Sequence, residues 1–445
     1  MSLPPNIVFI MADDLGYADL SCYGRREFTT PNIDRIAARG VRFVQGYANS
    51  AVCSATRLAL ITGRYQYRLP LGLEEPLAGN AAIGLPPEHP TLPSLLKKAG
   101  YGTTLIGKWH LGFLPNYGPL KSGYERFFGF RSGAVDYYSH LDPRQRHDLW
   151  DQDVEVHQVG YLTEQLGARA AAAVNGYAQS GRPFLISLHF NAPHWPWEAP
   201  GDEAEARRLA GTNLRHFDGG TQETYARMIG AMDAEVGRVF AALDAHGLTE
   251  NTIVIFTSDN GGERFSDTWP FTGRKTELLE GGLRVPTLMS WPARLAAGVT
   301  SDQVVISMDW FPTLLAAAGT APDPAYPPDG MNQMPVLTGS APVERKLFWR
   351  YKTHWQRAAR IGDFKYLKIL DNTFLFNVVE DPLERANLKD RRRDVYDRLL
   401  AEWHAWNAGM LPEIRASFME SYSGAQFADR YGAPAPNPEP DPDVR

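Results

Sequence analysis

The stretch NIVFIMADDLGY, residues 6–17, begins with a nearly unbroken apolar run and then turns abruptly to two aspartates and a glycine. An apolar run of this length without polar alternation reads as a strand buried on both faces, as inside a parallel sheet. Three further runs share the character: YGTTLIG (101–107), PFLISLHF (183–190) and NTIVIFTS (251–258). Helical patterns separate them, among them TPNIDRIAARG, TLPSLLKKAG with Gly100 as C-cap, and YARMIGAMDAEVGRVFAALDAHG. The alternation predicts an α/β fold with a large, mostly parallel β-sheet sandwiched by helices. Open sheets of this kind bind ligands beyond the carboxyl ends of their strands, which is where Asp13 and Asp14 fall.

After this region the composition changes. Residues 322–339 are rich in proline, glycine and aspartate and read as a linker. Short strand patterns follow, KLFWRY, QRAARIG, FKYLKIL and TFLFNV, then a helix near Asp394 to Trp406, which together predict a small antiparallel sheet with one helix. The expected division is a catalytic domain over 1–340, a small α+β subdomain over 341–412 and a proline-rich tail over 413–445. That tail is expected to be disordered or strapped to a surface, and it could embrace a neighbouring subunit in a homo-oligomer.

The 445 residues carry 45 Lys+Arg against 51 Asp+Glu, a net charge of -6, which argues against a protein built to coat nucleic acid or an anionic membrane. Small molecules are the expected partners. No run of 18 apolar residues exists, the first strand begins at Asn6, and the 2 cysteines do not make a disulfide scaffold. The expectation is a cytoplasmic protein.

Five stretches carry candidate chemistry. Asp13 and Asp14 at the end of the first strand, and Asp259 and Asn260 in SDNGG after another, are each ordinary turn residues when taken alone. Delivered to one sheet edge, they make four oxygen donors for Ca²⁺ or Mg²⁺. In GKWHLG (107–112), Lys108 and His110 alternate onto one side, a cation and an imidazole suited to an anion or to proton transfer. NAPHWP (191–196) presents His194 as a candidate general acid, and GRKTELLEGGLRVP (273–286) presents Lys275. The segment GYGTTLIGKW satisfies a P-loop spacing, but Trp109 stands where Ser or Thr is required and TTLI reads as strand, so no nucleotide loop is expected.

Cys53 opens the helical stretch CSATRLALITGRY (53–65), where backbone N–H groups favour negative charge, with Arg57 one turn on. Read from these residues alone it is a small buried side chain or a thiolate nucleophile. The stretch resembles the signature of the type I sulfatases, C-x-P/A-x-R followed by T-G-R, in which the cysteine becomes formylglycine. NIVFIMADDLGY, GKWHLG, NAPHWP, SDNGG, GRKTELLEGGLRVP and, later, LFNVVEDPLERANL resemble that family's other blocks in the same order. Ala55 stands where the commonest form of the signature has proline.

The resemblance implies an alkaline-phosphatase-like fold and hydrolysis of sulfate monoesters, with aryl sulfates expected because Trp195, Trp197 and Trp269 lie near the motifs. It implies one divalent cation, Ca²⁺ foremost and Mg²⁺ or Mn²⁺ otherwise, held by Asp13, Asp14, Asp259, Asn260 and the residue made from Cys53. A formylglycine-generating enzyme is the implied maturation partner. Hydrated formylglycine attacks sulfur, His110 assists its collapse as base, Lys108 and Arg57 hold it, and His194 and Lys275 contact the sulfuryl and leaving-group oxygens, His194 as proton donor. The same positive excess suits a phosphonate monoester or phosphate diester, and a catalytically silent anion-binding module is the reading from another class. Two-metal phosphatases need further histidine and aspartate ligands where this chain has Asn260.

Overall fold

The structure, a computed structural model, describes residues 3–79, 81–210 and 219–413. Its centre is a ten-stranded sheet. Five strands run parallel side by side, in the order Thr252–Ser258, Asn6–Ala12, Phe184–His189, Gly102–Lys108 and Arg126–Phe130. All four strands read from the sequence are in this core. Thr287–Ser290 then pairs antiparallel with both Thr252–Ser258 and Gly40–Phe43, so the sheet is mixed toward that edge. A parallel partner needs a long crossover, usually a helix, whereas only the short helix Glu280–Leu283 lies on the way back to Thr287.

Alternation along the first strand feeds two cores. Val8, Ile10 and Ala12 join the helices Pro31–Ala38, Leu162–Ser180 and Gln222–Ala245 on one face. Ile7, Phe9 and Met11 join Cys53–Thr62, Leu92–Lys98 and Trp310–Ala317 on the other. Both faces are dry, which is why these strands show no polar alternation. Among the described residues, no helix is long and apolar enough to cross a membrane.

The C-terminal strands Lys346–Tyr351, Gln356–Ile361, Phe364–Ile369 and Asn372–Asn377 form an antiparallel sheet, with the helix Arg393–Asn407 against it. Its interior shares a core with Ala55 and Ala59 of the Cys53 helix. The segment read as a linker is docked instead. Asp329 accepts two bonds of 2.8 Å from Arg68, Gln333 is buried on Asp309, and Met334–Leu337 is a helical turn. A half-buried Arg68–Asp329 ion pair and the buried Gln333–Asp309 hydrogen bond tether it, a feature that composition does not encode. Residues 414–445 of the expected tail lie outside the described residues, as do His216 and Asp218, which the sequence leaves open as pocket or surface residues.

Candidate active site

The carboxyl ends of the parallel strands converge. Asp13 and Asp14 follow Asn6–Ala12, Asp259 and Asn260 follow Thr252–Ser258, Lys108 ends its strand with His110 two residues on, and His194 lies five residues past His189. Cys53 is the first residue of the Cys53–Thr62 helix, which is buried throughout and closed by Gly63 in the left-handed region. One ligand atom each from Asp13, Asp14, Cys53 and His194 lie within 4.8 Å of one another. Asp259 and Asn260 adjoin them, Asp259 Oδ1 accepting from the Asp14 amide at 3.3 Å and Asn260 Nδ2 donating to Asp14 Oδ1 at 2.7 Å.

Three cations balance the carboxylates. Lys108 Nζ donates to Asp13 Oδ2 at 2.6 Å, with both side chains fully buried. Arg57 reaches Asp259 Oδ2 through Nε at 3.0 Å and Nη2 at 2.8 Å, and its other arm meets the Lys108 carbonyl. Lys275 Nζ donates to Asp14 Oδ2 at 2.6 Å and lies 3.2 Å from His194 Nε2. Arg57 and Lys108, expected to hold the formylglycine, pair here with the carboxylates of Asp259 and Asp13. Burial, reinforced by the charge of Asp259, pushes Asp13 up to about 8. Burial opposes ionisation of Asp259 too, but Arg57 and Lys108 outweigh it and hold that carboxyl below its ordinary range.

The donor set fits a hard divalent cation. Asp13 Oδ1 and Asn260 Oδ1 are buried without a hydrogen-bond partner, an arrangement that is costly unless something positive completes it. Cys53 is 3% exposed, and burial raises its thiol well above the ordinary value against the pull of Lys108. A thiolate nucleophile is therefore disfavoured at this position.

The two histidines are set in opposite senses. His110 donates from Nε2 to the Leu77 carbonyl at 2.9 Å, leaving Nδ1 buried and unprotonated. His194 donates from Nδ1 to the Trp195 carbonyl at 2.7 Å, so its Nε2 accepts from Lys275. Burial, then the nearby lysines, keeps His194 well below its ordinary pKa; His110 is lowered in the same way, by burial and Lys108. Asp14 and His110 both sit in the left-handed region, with φ 63° and 58°, strain that persists only where surroundings over-determine it.

Several supporting residues carry no sequence signal. Tyr137 Oη lies 3.0 and 2.9 Å from the Asn191 and His194 carbonyls and so anchors the His194 loop. A Cβ at Gly133 would stand 2.7 Å from the His110 ring, so only glycine leaves that ring its place. Gln356 of the C-terminal sheet accepts from the Leu278 amide at 2.8 Å and donates to the Thr276 carbonyl at 2.9 Å, gripping the turn that presents Lys275. These contacts join residues tens of positions apart, and spacing cannot reveal them. Trp195 and Trp197 are buried, Trp195 against the His194 ring at 4.3 Å and Trp197 against Phe265, while Trp269 is 67% exposed.

Beneath this loop Glu198 is fully buried and accepts from the Tyr137 amide. Burial, reinforced by Asp136, pushes its carboxyl up to about 9. The unfolded chain releases this proton near the ordinary value and the folded chain holds it, so stability falls as pH rises between the two. The slope from this group is at most about 1.4 kcal/mol per pH unit. Urea unfolding at pH 6 and pH 8.5 is expected to show a flatter pH dependence for Glu198→Gln than for the parent protein.

The fold and this buried, strand-end cluster define an α/β protein of the alkaline-phosphatase-like class. Residues 5–320 match the Sulfatase family model. The chain is 32% identical over 388 residues to N-acetylgalactosamine-6-sulfatase of Canis lupus familiaris, covering 81% of this chain and 71% of that protein. It is 33% identical over 392 residues to Arylsulfatase A of Homo sapiens, covering 81% and 74%. The solved structure of "Ps i-CgsB in complex with k-i-k-neocarrahexaose" superposes with a TM-score of 0.82 at 29% identity, covering 91% and 93%. The chain belongs to the sulfatase family, among the type I sulfatases of the alkaline phosphatase superfamily, and is a sulfuric ester hydrolase.

Proposed function

We propose that this protein hydrolyses sulfate monoesters with a nucleophile made from Cys53 by conversion to formylglycine. The observation that carries the reading is the position of Cys53, at a helix N-terminus within 4.8 Å of Asp13, Asp14 and His194 donor atoms, with its own thiol held protonated. The hydrated aldehyde supplies one hydroxyl for attack on sulfur and a second whose loss releases sulfate, which a thiol or a serine cannot do. A divalent cation, Ca²⁺ first and Mg²⁺ or Mn²⁺ otherwise, would supply positive charge that lowers the pKa of the nucleophile and stabilises the anionic ester. Asp13, Asp14, Asp259 and Asn260 would hold it.

The remaining steps belong to side chains. Lys108 and Arg57 neutralise Asp13 and Asp259 and leave Asp13 Oδ1 without a hydrogen bond. The unprotonated Nδ1 of His110 is the base for the second hydroxyl. His194 Nε2 has no proton to give at rest, and Lys275, 3.2 Å away, is the group that supplies it. The two form a proton-sharing pair beside the leaving-group oxygen. This adds Lys275 as the proton source to the expectation of His194 as proton donor.

Lys275→Met is expected to lower kcat on an aryl sulfate by about 10²–10³-fold, the effect of removing one preorganised donor. Steady-state kinetics test it, and a variant within threefold of the parent would remove Lys275 from the site.

An aryl sulfate is the proposed substrate type, supported by Trp269, exposed between the SDNGG and GRKTELLEGG segments; Trp195 and Trp197 are buried. Parallel assays on an aryl sulfate, a 6-sulfated hexosamine and an aryl phosphonate ester test the choice. Dominant phosphonate turnover favours the rival hydrolase reading, and dominant sugar turnover favours a carbohydrate sulfatase. Because Cys53 is buried, the proposed maturation enzyme must reach it before the helix docks.

A further inference from the structure

Beyond the Arg126–Phe130 strand the chain carries three histidines that have no part in ester hydrolysis. It returns to the sheet edge as a ribbon, Trp150–Asp151 pairing antiparallel with Val154–Glu155. A bridge between Leu141 and His147 folds His140 back toward that ribbon. There His147 Nδ1 lies 3.2 Å and His157 Nε2 lies 3.5 Å from the same oxygen, Glu155 Oε1. The two imidazole rings are 4.1 Å apart, and one ligand atom from each of the three residues falls within 4.8 Å of the others. Two ligands bound at 2.0–2.1 Å with tetrahedral angles stand roughly 3.3 Å from each other, which matches these separations.

A second observation points the same way. His140 is 1% exposed, its Nε2 is buried without a hydrogen-bond partner, and its ring meets that of His147 edge-on at 6.1 Å. An unpaired imidazole nitrogen is costly in a protein interior.

We propose that His147, Glu155 and His157 form a second metal site, for a divalent transition ion such as Zn²⁺, with His140 supplying a further imidazole beside it. The two centres sort metals by ligand chemistry. Imidazole donors suit Zn²⁺, Cu²⁺ or Ni²⁺, while the oxygen donors at the active site suit Ca²⁺ or Mg²⁺. An ion on the ribbon ties His147 to Glu155 and His157. It thereby closes the 131–157 segment, whose Tyr137 holds the His194 carbonyl.

The test uses the full-length protein without a histidine tag, its active site saturated with Ca²⁺. Co²⁺ is titrated and followed by visible absorption, and melting temperature is measured with and without Zn²⁺. The expected result is one Co²⁺ per chain, displaced by Zn²⁺, with a higher melting temperature in Zn²⁺. The double variant His147→Ala with His157→Ala, and separately the exposed Glu155→Gln, should weaken Co²⁺ binding by about tenfold or more and abolish the Zn²⁺-dependent rise. Equal Co²⁺ binding by parent and variants, or no uptake by the parent, overturns the proposal.

Discussion

Cys53→Ala is expected to lower sulfate ester hydrolysis by at least about 10³-fold while leaving the fold intact, because it removes the precursor of the proposed nucleophile. Cys53 is a small buried residue at the start of a helix, so loss of its sulfur costs only about 1 kcal/mol of stability. Turnover and urea unfolding measured on the same preparation separate the two effects. Peptide mass spectrometry of the parent adds an independent check, since activity should track the fraction of residue 53 carrying the aldehyde. Full activity in a preparation whose Cys53 peptide is entirely thiol would sink the assignment. Ala55 gives this measurement particular value, because it stands where the commonest signature has proline.

Arg57→Ala is expected to be the most destabilising single change in the site. Its guanidinium is 1% exposed and grips Asp259 through two nitrogens, so truncation strands a buried carboxylate beside Asp13 and Asp14. Breaking a buried pair from one side costs about 3–5 kcal/mol. Denaturant unfolding in a chelator should show that loss, and added Ca²⁺ should recover part of it, because a cation restores positive charge among the same carboxylates. Arg57→Lys should fall between the two, since lysine keeps the charge and loses the fork. A loss that is small, or indifferent to Ca²⁺, would separate Arg57 from the cation-binding cluster.

The parallel core and its ligand-bearing edge were legible because both follow from local rules. A strand buried on both faces must be apolar along its whole length, and polar side chains can appear only where it ends. Asp13, Asp14, Asp259, Asn260 and Lys108 are placed by that rule alone. The small sheet was equally readable, from short strands separated by turns. The 322–339 segment misled, because its prolines and glycines describe local backbone while Asp329 and Gln333 act on distant partners.

By itself the sequence determined that a strand-end Asp-Asp pair, a strand-end Asp-Asn pair, a helix-leading cysteine and three cations belong to one α/β protein. Only the tertiary structure decided what each cation faces. Arg57 lies one turn from Cys53 and yet turns to Asp259, 202 positions away, because a buried guanidinium goes where a buried carboxylate must be neutralised. The same holds for the protons: the Leu77 and Trp195 carbonyls select which nitrogen of His110 and of His194 is bare. Periodicity records which face of an element is dry, but the pairing of buried charges depends on three-dimensional proximity, and that is settled when the sheet and its loops close.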